Sequence, residues 1–247
     1  MIICGAMEKS LKGDNDMAKY YITPTLLNSW QYNIKNGTLE DFIKVLNKEE
    51  FEPTESILKG FEYEKYMQKN FEETLNGAYQ VKVSKEYGDY LLYGIIDCLK
   101  GGIIYDYKYT KNYEVGKFFN NYQTLMYLEM VPEAKKMIYL ITNKFDKEII
   151  QGKFIEPVIR ICEECEKIDI PVENRIDGLY KVCSSCGYEH KVSNQNKYKY
   201  EIGDIFREEY TKDMFPETMD SILHKFEEWL KQYNLYGLYI EKWKCKY

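Results

Sequence analysis

Asp97 follows Leu91, Tyr93 and Ile95 at every second position, and Asp106 and Lys108 alternate with Tyr105, Tyr107 and Tyr109. Side chains two apart share a face of a strand, so this pattern predicts strands over 90–97 and 103–110, turned at Lys100-Gly101-Gly102. With residue 97 opposite residue 104, Asp97, Asp106 and Lys108 share one face. The two aspartates are then diagonal neighbours, with Cβ atoms about 7–8 Å apart. Two carboxylates so placed can converge on one small divalent cation, and the lysine can hold a water or a phosphate oxygen. A register slip of one residue would send the acids to opposite faces and destroy the site. The same residues also fit a partly solvated sheet face with an Asp–Lys ion pair at its rim.

A second constellation is Cys162-x2-Cys165 and Cys183-x2-Cys186, with 17 residues between the pairs. Each pair sets two thiolates on one tight turn, and two such turns complete a tetrahedron around Zn²⁺. Gly187 gives the second turn backbone freedom, and a stretch so poor in large apolar residues needs the metal to fold. Cys4, Cys98 and Cys245 are expected to be spare thiols, and His190 and His224 surface residues. Lys191, Lys197 and Lys199, interleaved with Tyr188, Tyr198 and Tyr200, are candidate nucleic-acid contacts that would track a backbone and stack on bases. The other reading of that segment is a solvated hairpin.

The elements that must hold these residues follow from periodicity. Thr23-Pro24 opens a helix with Leu26, Leu27 and Trp30 on one face. Further helices are expected over about 39–48 and 54–76, the latter carrying Ile57, Phe61, Met67 and Phe71 at helical spacing. Strands follow at 79–87, 90–97 and 103–110, then a helix at about 117–130 and strands at 136–143 and 148–161. A helix at 217–233 and a short strand from Gly237 to Lys242 close the chain. This order predicts an α/β or α+β fold with one sheet. Four segments emerge: a mobile tail (1–17), a core (18–161), the four-cysteine module (162–200), and a C-terminal part (201–247) that packs back on the core.

Gly94-Ile95-Ile96-Asp97 followed by Ile104-Tyr105-Asp106-Tyr107-Lys108 resembles the signature of the PD-(D/E)XK nuclease superfamily, in its RecB-like and phage exonuclease branch. Three further stretches are similar in order and spacing. Tyr21 to Trp30 resembles the family's first helix. Gly60-Phe61-Glu62-Tyr63-Glu64 resembles the helix motif ending in His or Glu. Gln123-Thr124-Leu125-Met126-Tyr127 resembles the Gln-x-x-x-Tyr motif. The likeness covers residues 20–145. It implies a restriction-endonuclease-like core, a central mixed sheet flanked by helices, here with a zinc-ribbon-like insertion. It implies Asp97, Asp106 and Glu64 as ligands of Mg²⁺ or Mn²⁺, and Lys108 as the group that orients or deprotonates the attacking water. Gln123 and Tyr127, four apart on one helix face, would position substrate or site side chains. Some relatives carry an iron–sulfur cluster, but with their cysteines split around the core, so the single cysteine segment here favours zinc.

Composition narrows the partners. The 247 residues carry a net charge of −6, and only Arg160, Arg175 and Arg207 are arginines. Phosphate contacts must therefore come from a local groove of lysines. No apolar run is long enough for a membrane helix, and seven cysteines favour metal ligation over a disulfide framework. The expectation is a cytoplasmic, metal-dependent DNA nuclease, exonuclease-like, serving repair, recombination or phage DNA processing. The alternative is a nuclease-fold module that binds DNA or protein within a larger repair or phage complex.

Overall fold

A computed structural model describes residues 19–111, 113, 116–119, 121–143, 145, 154–155, 160–161, 168–169, 172–175, 178–182, 189–192 and 205–245. For the strands between 154 and 192 the description is of the backbone. The elements are β1 (Tyr20–Ile22), α1 (Pro24–Asn36), α2 (Leu39–Leu46), α3 (Glu55–Asn70), β2 (Ala78–Tyr87), β3 (Tyr90–Lys100), β4 (Ile103–Tyr109), α4 (Tyr122–Met130) and β5 (Lys136–Thr142). Then come β6 (Phe154–Ile155), β7 (Arg160–Ile161), β8 (Ile168–Asp169), β9 (Val172–Arg175), β10 (Gly178–Val182), β11 (Glu189–Val192), β12 (Ile205–Tyr210), α5 (Met219–Gln232) and α6 (Tyr236–Lys242).

Helix ends follow the expected chemistry. Thr23 Oγ1 accepts from Leu26 N–H at 3.2 Å, Pro24 starts the first turn, and Gly37 ends α1 in the left-handed region at φ 86°. A threonine cap of this kind contributes about 1 kcal/mol. Thr54 and Thr218 cap α3 and α5 in the same way.

The strands form a seven-stranded mixed sheet in the order β1-β3-β4-β5-β12-β6, with β2 paired to β3. The β1/β3, β4/β5 and β12/β6 pairs are parallel; the β2/β3, β3/β4 and β5/β12 pairs are antiparallel. Helices cover both faces. On one side α1, α2, α4, α5 and α6 close over Leu92, Ile96, Ile104, Met137, Tyr139 and Ile141. On the other, Tyr63 and Met67 of α3 close over Cys98, Tyr105, Tyr107, Ile138 and Leu140. β5 is buried on both faces and accordingly reads as an unbroken apolar run. No helix among the described residues is long and apolar enough to cross a membrane.

Several expectations need correction. α3 stops at Asn70 rather than reaching 76, and α4 begins at Tyr122, capped by Asn121, rather than at 117. The segment 237–242 is helical, not a strand. Leu235, Tyr239 and Trp243, spaced by four, all bury against the large core, while Gly237 and Glu241 midway between them are exposed; a strand would put all five on one face. β12 was not anticipated: Arg207, Glu208 and Glu209 break its apolar pattern, yet it pairs with β5 from Phe206 to Tyr210. The four cysteines of the proposed module, with Lys197 and Lys199, lie outside the described residues. Lys191 is described only as backbone of β11, opposite Tyr180.

Candidate active site

The site forms where two paired strands part. β2 runs along the whole of one edge of β3, while the other edge is shared by β1 at residues 90–92 and β4 at residues 98–100. Between them, residues 93–97 of β3 have no ladder partner on that edge. The β3/β4 register pairs Cys98 with Tyr105. Asp97 and Asp106 therefore stand opposite each other one step past the last pair, not diagonally as residue 97 opposite 104 would give. The two-residue difference in register keeps both acids together and shortens their separation.

A change of face in β3 helps to bring Asp97 there. Ile96 packs on the α4 side of the sheet, whereas Cys98 packs beneath α3. Regular alternation would put both on one side, so the strand is distorted between them. Across the ribbon Gln80 takes a φ of 52°, a conformation that costs a non-glycine residue on the order of 1 kcal/mol. The backbone N–H of Tyr107 donates to Asp97 Oδ2 at 3.0 Å, which replaces the missing ladder bond and fixes the carboxylate at the split.

The remaining residues arrive on three elements, β4, α4 and α3. Asp106, 2% exposed, lies on central β4, where Lys108 Nζ approaches its Oδ2 at 2.7 Å. Gln123 Nε2 of α4 donates to Asp106 Oδ1 at 2.5 Å. Tyr127, one turn further along α4, does not bond the acids; its hydroxyl donates to the Ile95 carbonyl at 2.6 Å. Its ring lies where a side chain at Gly94 would be, 2.4 Å from the position of an added Cβ. Glycine there lets α4 sit close on β3. Glu64 comes from α3 on the other side, and its Oε1 accepts from Gln68 Nε2 at 2.9 Å and from Gln80 Nε2. Gln68 and Gln80 were not anticipated; nothing in sequence spacing marks a strand residue that bonds a helix acid sixteen positions away.

The electrostatics are those of crowded acids. Burial first, and then the charges of Asp106 and Glu64, push the Asp97 carboxyl up to about 8, against the pull of Lys108 and the Tyr107 N–H. Burial also raises Asp106 despite Lys108 and Gln123, and burial with the Asp106 charge raises Glu64. Burial pulls Lys108 down, but Asp106, Asp97 and Glu64 outweigh it and hold the lysine above its ordinary value. In the metal-free arrangement the charged form of Lys108 is therefore the favoured one.

Among the described residues, no three His, Cys, Asp or Glu side chains form a ready metal cage. The donor chemistry nevertheless fits a hard divalent cation: three carboxylates lie within electrostatic reach of one ammonium, and Asp106 among them is buried. Among the described residues, Cys98 and Cys245 are buried and form no disulfide.

No protein-family model matches the sequence, and no curated protein matches it. Among solved structures, SSO0001 aligns with 54% of this chain and 64% of its own, at 18% identity and a TM-score of 0.33. A candidate exonuclease from Eubacterium rectale aligns with 53% of this chain and 55% of its own, at 20% identity and a TM-score of 0.25. The matched region thus spans less than two thirds of either neighbour. At these scores the overlap is partial, and the functional reading rests on the site itself.

Proposed function

We propose that the chain is a metal-dependent DNA nuclease with a PD-(D/E)XK-type core. The observation that carries this reading is the placement of Asp97, Asp106 and Lys108 at the point where β3 and β4 separate, within electrostatic reach of Glu64. Phosphodiester hydrolysis needs an activated water, neutralised phosphoryl oxygens and a stabilised leaving alkoxide. Mg²⁺ or Mn²⁺, held by Asp97, Asp106 and Glu64, would supply Lewis acidity and a more acidic bound water. Lys108 carries a positive charge beside Asp106 and would orient the attacking water and offset charge developing on the phosphoryl group. Gln123 fixes the rotamer of Asp106, and Tyr127 ties α4 to the Ile95 carbonyl, so both act as positioning residues.

Zinc in the four-cysteine module belongs to the same proposal. β7 and β8 pair antiparallel on either side of residues 162–167, and β10 and β11 on either side of residues 183–188. Each Cys-x2-Cys pair therefore falls within a link between two paired strands, as a two-knuckle zinc module requires. Elemental analysis for zinc against iron separates this from an iron–sulfur cluster. DNA as partner, with Lys191, Lys197 and Lys199 among its contacts, and a cytoplasmic place in a repair or phage complex complete the reading.

The alternative is a nuclease-fold module that binds DNA without cutting it. Incubating linear and circular DNA with the protein, in Mg²⁺, Mn²⁺ or EDTA, separates the two: only a nuclease shortens DNA in a metal-dependent way.

A further inference from the structure

A pocket of about 490 Å³ opens beside the acids, between α1, α2 and the start of α4, with Lys108 and Gln123 in its lining. That volume is within the range of small-molecule sites. Asn33 of α1 lines it and is only 9% exposed. Its side-chain Nδ2 has no hydrogen-bond partner among the described residues. A buried amide donor without a partner is rare in a native fold and calls for one.

Two neighbouring amides are arranged to donate as well. Asn28 Oδ1 accepts from Tyr122 N–H at 3.1 Å, and Asn121 Oδ1 accepts from Gln123 N–H at 2.8 Å. Both carbonyl oxygens are thereby engaged, which leaves the amide nitrogens as the groups each residue can offer a ligand. Tyr32, 65% exposed, also lines the pocket. Of the two charged lining residues, Lys108 is paired with Asp106, and the Asp41 carboxylate is bonded by Thr38 and Lys44. A pocket that is neutral overall and rich in amide donors suits a neutral group with carbonyl or ring-nitrogen acceptors better than a phosphate.

We infer that this pocket holds the nucleoside next to the scissile phosphate, its base accepting from Asn33 and lying against the ring of Tyr32. The inference rests on the nuclease reading and adds to it a subsite and the recognition of the base. Gln123 couples the two, since it bonds Asp106 and also lines the pocket.

The test uses the full chain in EDTA, fluorescence anisotropy, and two labelled ten-nucleotide probes: oligothymidylate, and the same backbone made wholly of abasic units. The protein is expected to bind the first at least roughly ten-fold more tightly, in keeping with one lost stack. Asn33→Leu and Tyr32→Ala should each erase most of that difference. Asn33→Leu should melt no lower than the parent, because it removes an unpaired donor. Should it fail to fold, the exposed Tyr32→Ala carries the test. Equal binding of both probes by a protein that does cleave DNA would overturn the subsite and leave the nuclease reading standing. So would variants indistinguishable from the parent, or a loss of binding that merely follows a fall of several degrees in melting temperature. A protein that neither binds nor cleaves DNA would remove the nuclease reading and the subsite with it.

Discussion

Asp106 and Lys108 are two positions apart on a strand, and that spacing alone placed them on one face; their contact at 2.7 Å was legible in the sequence. The partner strand was less so. Apolar alternation in 90–97 says which residues share a face, but not which residue of β4 each will meet, nor that β3 changes face between Ile96 and Cys98. That distortion depends on Gln80 across the ribbon and on tertiary contacts that no local pattern encodes. It also has a measurable cost. Asp97 is raised to about 8 from an unfolded value near 3.9, so its protonated form is the one the fold favours. Its contribution to stability is fully present below about pH 4 and is lost as pH rises through about 8. Melting temperature should therefore decline over that interval in the metal-free protein. Asp97→Asn should flatten the decline, and Mg²⁺ or Mn²⁺ should reverse it at pH 8. A parent and an Asp97→Asn variant with parallel pH profiles would show that the acids do not repel as described.

Among the elements, those with uniform periodicity were readable and those that trade pattern for position were not. β2, β3, β4, β5 and α5 lie within a few residues of where alternation or helical spacing puts them. α6 and β12 were misread for opposite reasons. α6 is short and carries two Tyr and an Ile, types that favour strands, but its burial repeats every four residues. β12 is charged, yet Glu208 is buried and accepts from the hydroxyls of Tyr113 and Tyr210, while Arg207 pairs with Glu73 and Glu209. The element that governs the site is α4, whose fit on β3 depends on Gly94. An alanine there would place its Cβ 2.4 Å from Tyr127 Cε1 and 3.3 Å from Met130 Cε. The helix must then move. Gly94→Ala is expected to cost about 1–3 kcal/mol by overpacking and to lower cleavage by displacing Gln123 from Asp106. Pairing it with Tyr127→Leu should restore part of the stability. Chemical denaturation of the four proteins in the cycle measures this, and additive losses would contradict the contact.

At the scale of the whole molecule, charge would set how the proposed DNA partner is met. With a net charge of −6, general attraction to DNA is unfavourable, so the proposed binding would depend on a few local lysines. Counterion release then predicts a shallow salt dependence, about −0.9 in log–log slope per phosphate on duplex and −0.7 on single strands. Replacing Lys191, Lys197 and Lys199 with alanine should reduce that slope by roughly two to three units; an unchanged slope would place the contacts elsewhere. Net charge was readable from composition, whereas the pocket beside the acids was not, because it is assembled from α1, α2, α4 and β4, elements far apart in sequence. The central claim is that Asp97, Asp106, Glu64 and Lys108 form one hydrolytic site. Its most direct test is cleavage of linear DNA by the parent protein and by Asp106→Ala, each shown to be folded by circular dichroism, in Mg²⁺, Mn²⁺ and EDTA. Removing a central electrostatic group commonly costs about 10²–10³ in rate. The expected result is metal-dependent cleavage by the parent, none in EDTA, and a loss of at least that size in the variant. Cleavage by Asp106→Ala at the parent's rate would contradict the account.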